Sequence, residues 1–259
     1  MTGHTPRGAE RVNPYCEDRP KGEQVKEMFD SIAPAYDFMN SAMSFGLHRQ
    51  WLSKAIEMAA ATPLMAEGAV DTTPVIDLAT GTGDVAFALA RRFDTARVTG
   101  VDLSPGMLDQ ARQKRAALPA RTGARISFEQ GDCLDLQFPD NSFRLATIAY
   151  GVRNFQHLLP GLKEICRVLR PGAACVIIEL SRPRQLLART AYDLYSRLLI
   201  PFAGRLASGD SRAYRYLPES IKAMPQREEM TEILLEAGFS KASWKSLTMG
   251  VVCIYTAIK

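Results

Sequence analysis

The chain has 259 residues, 46% of them hydrophobic and 23% charged, the mix of a folded globular protein and not of a disordered or fibrous one. Its 32 lysines and arginines against 28 acidic residues leave a formal charge of +4, too small for a nucleic-acid coat, so any basic patch is local. Five cysteines (Cys16, Cys133, Cys166, Cys175 and Cys253) lie far apart with no C-x-x-C pair, so neither a disulfide framework nor a zinc site is indicated and a reducing cytoplasm fits best.

Residues 1–21 mix Arg7, Arg11 and Arg19 with proline, glycine and acidic residues and lack the apolar core of a signal peptide. They read as a mobile extension before a single domain over 22–259. No apolar run approaches the roughly 18 to 20 residues of a membrane-spanning helix. Val25, Met28, Phe29 and Ile32 have near-helical spacing and are followed by Pro34, and a second helical stretch covers 51–61, so 22–62 reads as N-terminal helices.

From Val75 the pattern changes to strand and helix in alternation. Val75-Ile-Asp-Leu78 is a buried strand that breaks into Thr80-Gly-Thr-Gly83, and Val85, Ala86, Leu89, Ala90 and Phe93 then mark a helix. Further strands are expected at 97–102, 125–130, 144–150 and 174–180, with helices over 106–118 and 158–169. Parallel strands joined by helices make a doubly wound α/β sheet. Residues 182–222 break the alternation with Pro183, Pro201, Gly204, Gly209 and Pro218 and read as an insertion over the sheet. A helix over 227–237 ending at Gly238 and strands at 242–247 and 251–257 follow.

The chemistry is concentrated at the first strand. In Asp77-Leu-Ala-Thr-Gly-Thr-Gly-Asp84, Gly81 and Gly83 remove β-carbons where backbone must approach a ligand, and the next helix offers free N–H groups. Asp102 ends the second strand, 19 residues beyond Gly83, where a carboxylate can accept from both hydroxyls of a ribose. The loop satisfies the dinucleotide pattern G-x-G-x-x-A, so a nicotinamide dehydrogenase competes with S-adenosylmethionine as the reading. Asp77 favours the latter, because a carboxylate repels a pyrophosphate and attracts an ammonium group. The one Tyr-x-x-x-Lys match, Tyr255 to Lys259, falls in an expected strand and reads as coincidence.

Asp132 and Cys133 follow the third strand, and Arg153 and Asn154 the fourth, all at the carboxyl edge where such sheets bind ligands. Asp132 could accept from an adenine amino group and Cys133 could present its backbone N–H. Taken alone, such residues are more often a turn residue and a small buried thiol. No metal is expected, because no ligand cluster of suitable spacing occurs.

The 16 residues Tyr36-Asp-Phe-Met-Asn-Ser-Ala-Met-Ser-Phe-Gly-Leu-His-Arg-Gln-Trp51 match the N-terminal signature of the UbiE/menaquinone C-methyltransferases. Arg167-Val-Leu-Arg-Pro-Gly-Ala-Ala-Cys-Val-Ile-Ile-Glu-Leu-Ser181 resembles that family's second signature, and Tyr214-Arg-Tyr-Leu-Pro-Glu-Ser-Ile221 and Gly250-Val-Val-Cys-Ile-Tyr-Thr-Ala257 are similar to other family segments. The resemblance covers residues 24–259. It implies a class I S-adenosylmethionine-dependent methyltransferase, a Rossmann-like doubly wound seven-stranded sheet with N-terminal helices and a lid insertion.

The implied reaction is methylation of a ring carbon of a polyprenylated quinol. The glycine loop resembles menaquinone-type sequences, which points to demethylmenaquinol, with dual ubiquinone and menaquinone action or another lipid acceptor as the alternatives. Carried over by position, the cofactor contacts fall on Thr82, Asp102, Asp132 and Cys133, beside Gly81 and Gly83 of the loop. Similar enzymes imply that Arg153, Asn154 and Tyr36 meet over the sulfonium methyl and assist proton removal. Two departures are Ala173, in place of a second glycine, and Ala149, where some members carry a cofactor-contacting serine.

His48 could serve as a base or in packing, and Asp37 could fasten the N-terminal helices to the cofactor lobe. The strip over 182–212 mixes arginines with apolar residues, including Arg182, Arg189, Arg197, Leu186, Leu187 and Tyr192, and could cover an isoprenoid tail or rest on anionic lipid as readily as pack on the sheet. Peripheral contact with a membrane from the cytoplasm and a homodimer stay open, no nucleic-acid partner is expected, and a module that binds S-adenosylmethionine without catalysis is the competing class.

Overall fold

In a computed structural model, which describes residues 8–15, 17–66, 72–207 and 211–259, with the side chains at 197–207 and 211–214 excepted, the sequence folds around one seven-stranded sheet. Helices α1 (Lys21–Ile32), α2 (Tyr36–Met43), α3 (Leu47–Ala60) and α4 (Pro63–Ala66) precede β1 (Val75–Leu78). Then come α5 (Asp84–Arg92), β2 (Val98–Asp102), α6 (Pro105–Ala116), α7 (Ala120–Gly123), β3 (Ile126–Gln130) and β4 (Phe143–Ala149). The rest is α8 (Leu158–Val168), β5 (Leu169–Leu180), α9 (Leu186–Ala207), α10 (Ser211–Ala223), α11 (Glu228–Glu236), β6 (Lys241–Leu247) and β7 (Val252–Ile258).

The strand order is β3-β2-β1-β4-β5-β7-β6, parallel throughout except for β7, which pairs antiparallel with both β5 and β6. The order reverses between β1 and β4, so the crossovers leave in opposite directions and a crevice opens at the carboxyl ends of these two strands. Alternate residues feed two cores. Ile76, Leu78, Ile148 and Ile177 face α8 and α11, while Val75, Leu145, Val176 and Ile254 face α3, α5 and α6.

The edge is drawn tight at the crevice. Ala79 and Tyr150, the residues just after β1 and β4, both adopt positive φ, at 49° and 58°. A β-carbon on Gly151 would lie 2.5 Å from that of Ala79, so glycine is required there by contact and not by its own φ of −105°.

Three expectations change. The strand expected over 174–180 begins already at Leu169 and carries a bulge, since Phe143 pairs with Leu169 but Leu145 with Ala174, and Gly172 takes the φ of 79° that the bulge demands. The segment over 182–222 is mostly two helices, and Pro218 sits inside α10, where burial of Tyr216, Ser220 and Ile221 outweighs the missing backbone donor. The described part of the stretch read as mobile, from Gly8 to Tyr15, is docked. Ala9 and Tyr15 are buried, Leu158 N donates to Glu10 Oε1 at 2.5 Å, and Lys21 Nζ donates to the Ala9 carbonyl at 2.6 Å. Composition hides this docking because it rests on a few residues that meet distant parts of the chain. Of the 182–212 strip, the side chains of Arg197, Arg205, Arg212 and the apolar residues between 198 and 202 lie outside the described residues.

Gly151→Ala should therefore lower unfolding stability in urea by roughly 1–3 kcal/mol, whereas Gly46→Ala, whose β-carbon meets nothing within 4 Å, bears only the strain of its φ of 76°.

Candidate active site

Two cavities occupy the crevice. The smaller, of about 60 Å³, lies over the ends of β1, β2 and β3, and Gly81, Asp102, Ser104, Met107, Asp132 and Cys133 are among its walls. The larger, of about 200 Å³, is roofed by α1, α2, α3, α9 and α10 and is mainly apolar, with Met28, Met39, Met43, Trp51, Leu52 and Leu217 around it. Phe29, Tyr36, Ala79, Gly81, Ala149 and Tyr150 line both, so the chambers share one wall.

Local sequence explains the smaller chamber. Thr80 N donates to the Val101 carbonyl at 3.0 Å, extending the β1–β2 pairing into the loop, and Gly81 then turns at φ 55°. The Asp102 carboxylate accepts from Gly81 N at 2.8 Å and Ser104 N at 2.9 Å, one bond to each oxygen. Beyond these two bonds, each oxygen has lone-pair capacity for a further donor. Ser104 caps α6 by accepting from Met107 N at 3.1 Å, with Pro105 at the first helical position. Asp132 Oδ1 accepts from Leu134 N at 2.9 Å, which shapes the turn that places Cys133 in the wall. Burial pushes the Cys133 thiol well above its usual range, so it stays neutral.

The larger chamber holds one buried guanidinium. Arg153 is 7% exposed, and its Nη1 donates to Glu179 Oε1 at 2.8 Å and to the Tyr150 carbonyl. Burial is the largest influence and works against its charge, yet with the Glu179 carboxylate bonded to it the group stays above its usual value and is held cationic. Its Nε is buried without a hydrogen-bond partner, as is the Tyr150 hydroxyl. Tyr216 OH donates to Asn154 Oδ1 at 2.9 Å, and Lys21 Nζ donates to the Arg153 carbonyl at 2.9 Å from a position 4% exposed. Burial raises the Tyr36 phenol above its usual value despite its bond to Asn40, so at neutral pH it is a donor and not a base.

Of the residues named from sequence, Gly81, Asp102, Asp132 and Cys133 come together in the smaller chamber. Tyr36 and Arg153 meet in the larger one, and Asn154 instead lines the smaller. Thr82 borders the larger chamber, but its hydroxyl donates to Asp37 Oδ1 at 2.6 Å and accepts from Lys114 Nζ at 2.9 Å. Lys114 also pairs with Asp37 at 2.5 Å and Asp84 at 2.8 Å, so Asp37 does tie α2 to the glycine loop, with Thr82 as the tie point. Gly83 lines neither chamber; it caps α5 at φ 89°, where a β-carbon would come within 3.0 Å of Phe87 and Phe128. His48 borders the larger chamber with Nδ1 2.7 Å from Ser44 Oγ. Ala149 lies in the shared wall, and Ala173 is buried in the β5 bulge.

Glu179, Tyr216, Tyr150 and Lys21 were not singled out in the sequence as site residues. Glu179 had a signal, being the one charge in the apolar run Val176-Ile-Ile-Glu-Leu180.

The sequence model of the ubiE/COQ5 methyltransferase family matches residues 18–259. The demethylmenaquinone methyltransferase of Porphyromonas gingivalis is 44% identical over 251 residues, covering 96% of this chain and 98% of its own. The Geotalea daltonii ubiquinone/menaquinone biosynthesis C-methyltransferase UbiE is 39% identical over 240 residues, covering 92% and 97%. Among solved structures, the Haemonchus contortus phosphoethanolamine N-methyltransferase 2 with S-adenosylhomocysteine superposes with a TM-score of 0.62 at 15% identity, over 93% of this chain and 59% of that one. An S-adenosylmethionine-dependent methyltransferase of Thermotoga maritima gives 0.58 at 17% identity, over 90% and 99%. These two likenesses speak for the fold, a class I methyltransferase sheet.

Asp77, expected to attract an ammonium group, lines neither chamber. It is fully buried and accepts from Thr80 Oγ1 at 2.5 Å and Thr147 Oγ1 at 2.6 Å, holding the loop to β4. Burial raises its carboxyl to about 7, more than these donors lower it. The folded protein thus holds this proton more tightly than the unfolded chain, so its stabilisation is complete below about pH 4 and is lost as pH rises toward 7. Asp77→Asn imitates the protonated acid. The stability of the parent relative to this variant, followed by urea unfolding, should fall across that window; a constant difference would contradict the assignment.

Proposed function

The chain belongs to the ubiE/COQ5 methyltransferase family, and from that premise we propose that it methylates a ring carbon of demethylmenaquinol, giving menaquinol. The observation that carries this reading is the shared wall: a small chamber with a ribose-binding carboxylate abuts a large apolar chamber with one buried arginine. An apolar cavity under five helices suits an aromatic ring with an isoprenoid tail.

The smaller chamber fits S-adenosylmethionine through Asp102, whose spare lone pairs face it, and through the Asp132–Cys133 turn. When bound, that cofactor supplies an electrophilic methyl group and keeps the electron pair of the broken C–S bond. The ring carbon beside a quinol hydroxyl becomes nucleophilic when that oxygen loses its proton. Arg153 cannot act as a base because it is held cationic, and its guanidinium at the wall of the larger chamber instead stabilises the quinolate oxygen. Tyr36, protonated and in the shared wall, donates to the same oxygen or to a water. After the new C–C bond forms, the ring carbon loses its proton to water, which restores aromaticity as the quinolate; the oxygen then regains the proton that water took from it at the start, and one proton is released per turnover. Asn154, fixed by Tyr216, aligns the turn that carries Arg153.

Two extensions belong to this proposal. The residues 182–222 act as the lid of the larger chamber, since Tyr192, Tyr195, Tyr216 and Leu217 line it. The protein also meets a lipid surface at this side. Phe45 is 76% exposed and leans on Tyr195, and Met249 is 71% exposed beside Thr248, which accepts from Trp51 Nε1 at 2.8 Å. Among the described residues no helix is long and apolar enough to cross a membrane.

Labelled S-adenosylmethionine with demethylmenaquinol under reducing conditions should transfer label to the lipid, and a ubiquinone-pathway acceptor run in parallel decides between single and dual action. Arg153→Met should lower kcat by about two orders of magnitude with cofactor affinity retained; unchanged turnover would remove Arg153 from the mechanism. Flotation with anionic phospholipid vesicles at low salt should recover the parent protein, and Phe45→Ser combined with Met249→Ser should abolish recovery. Equal flotation of both proteins would place lipid contact elsewhere.

A further inference from the structure

The reaction read above gives no part to the buried carboxylate beside Arg153. Glu179 is 2% exposed near the carboxyl end of β5 and spends both carboxylate oxygens on the Arg153 turn and its own backbone. Oε1 accepts from Arg153 Nη1 at 2.8 Å and from Leu180 N at 2.8 Å, and Oε2 lies 3.4 Å from Arg153 N. A carboxylate so placed on a strand is rigid, and it grips both the guanidinium and the backbone of the same residue. Such a pair is costly to bury and is more readily explained by positioning than by stability.

We propose that Glu179 is a positioning residue for the methyl transfer: it fixes the Arg153 guanidinium at the larger chamber and, by cancelling its charge, sets the pH at which the quinol hydroxyl ionises. This rests on the quinol reading. An arginine paired to a carboxylate presents donors with little net charge, whereas an unpaired arginine in the same apolar chamber is a full cation. Removing the negative charge of Glu179 therefore favours the quinolate and moves its ionisation to lower pH.

The other groups facing the pair come from every neighbouring element. Tyr36 of α2, Tyr150 after β4, Tyr192 of α9, Tyr216 of α10 and Tyr255 of β7 are all phenols held protonated by burial, so they change no charge near neutrality. Cys253 faces Ser181 Oγ, with its sulfur 3.3 Å away. Lys21 of α1 is the exception. Burial first, and Arg153 second, lower its ammonium to about 7, so it can add a charge within the working range.

The test uses Glu179→Gln, which keeps an acceptor for Arg153 without the charge, and Glu179→Asp, which keeps the charge and withdraws it by one methylene. The pH dependence of kcat for the quinol and the ionisation of bound 1-naphthol, read by absorbance, are measured on the full chain. Bound S-adenosylhomocysteine counts the folded sites. In Glu179→Gln both the rising limb of kcat and the naphthol midpoint should move down by about one pH unit. In Glu179→Asp they should stay in place while kcat per folded site falls about tenfold or more.

If both variants lose activity only in proportion to folded sites, with limb and midpoint unmoved, Glu179 is structural and the proposal fails. Lys21→Met separates the remaining titrating group: a shift there with none in Glu179→Gln also overturns it. If Glu179→Gln does not fold, Glu179→Asp decides the positioning role by its kcat per folded site and its unmoved limb. Absence of quinol turnover in the parent chain overturns the functional reading instead, while the naphthol midpoint still reports on Glu179.

Discussion

A guanidinium kept in an apolar chamber needs a counter-charge and a rigid mounting, and much of the site's architecture answers that requirement. Glu179 supplies the charge from β5, and the strained end of β4 supplies the mounting, with Tyr150 at positive φ and Gly151 pressed on Ala79. Tyr216 from α10 and Lys21 from α1 then fix the two residues of the turn through Asn154 and the Arg153 carbonyl. Elements as far apart in sequence as residues 21 and 216 are in this way committed to one short 3₁₀ turn, Val152–Asn154. The helices over the chamber form a lining and a brace together.

The same turn explains how the two chambers stay distinct yet adjacent. Arg153 belongs to one and Asn154 to the other, while Tyr150 stands in the wall they share. Consecutive residues leaving a parallel strand at its switch point can serve both sides of that wall, which a longer loop would not hold in register. Asp77 and Asp102 act on the opposite flank. Each fixes the glycine loop from a different strand, Asp77 through Thr80 and Asp102 through Gly81 N.

The sheet was legible because its signals are local. Buried parallel strands are mainly apolar runs, as β1 and β4 are, while the edge strand β3 alternates buried and exposed residues, and β1 to β4 are closed by Thr80, Ser104, Gly131 and Gly151 in turn. The carboxyl-edge residues followed from that placement, which is why Gly81, Asp102, Asp132 and Arg153 could be set at the crevice from sequence. What stayed hidden depends on distance. Glu179 reads as part of a strand until Arg153 is known to lie beside it, and Tyr216 and Lys21 gain meaning only when α10 and α1 pack on the turn. Thr82 and Gly83 show the converse: the motif names them, yet one faces Asp37 and the other leaves room for the rings of Phe87 and Phe128. α2 escaped notice because Pro34 marks a stop, while the chain resumes a helix two residues later at Tyr36.

The position of β7 has a consequence for how the chain assembles. β6 and β7 are neighbours in sequence and form a local hairpin, but it is β7 that contacts β5, and its partner residues there lie some 80 positions earlier. Pairing between β6 and β7 closes a short loop and is fast, whereas docking onto β5 closes a long one. Until that docking, β5 is an open edge whose residues 173–179 are destined for burial, the kind of edge that templates association with other chains. Glu179 is the one charged side chain in that run. The carboxylate that balances Arg153 in the finished protein is thus also the feature that interrupts a sticky edge while the fold is incomplete.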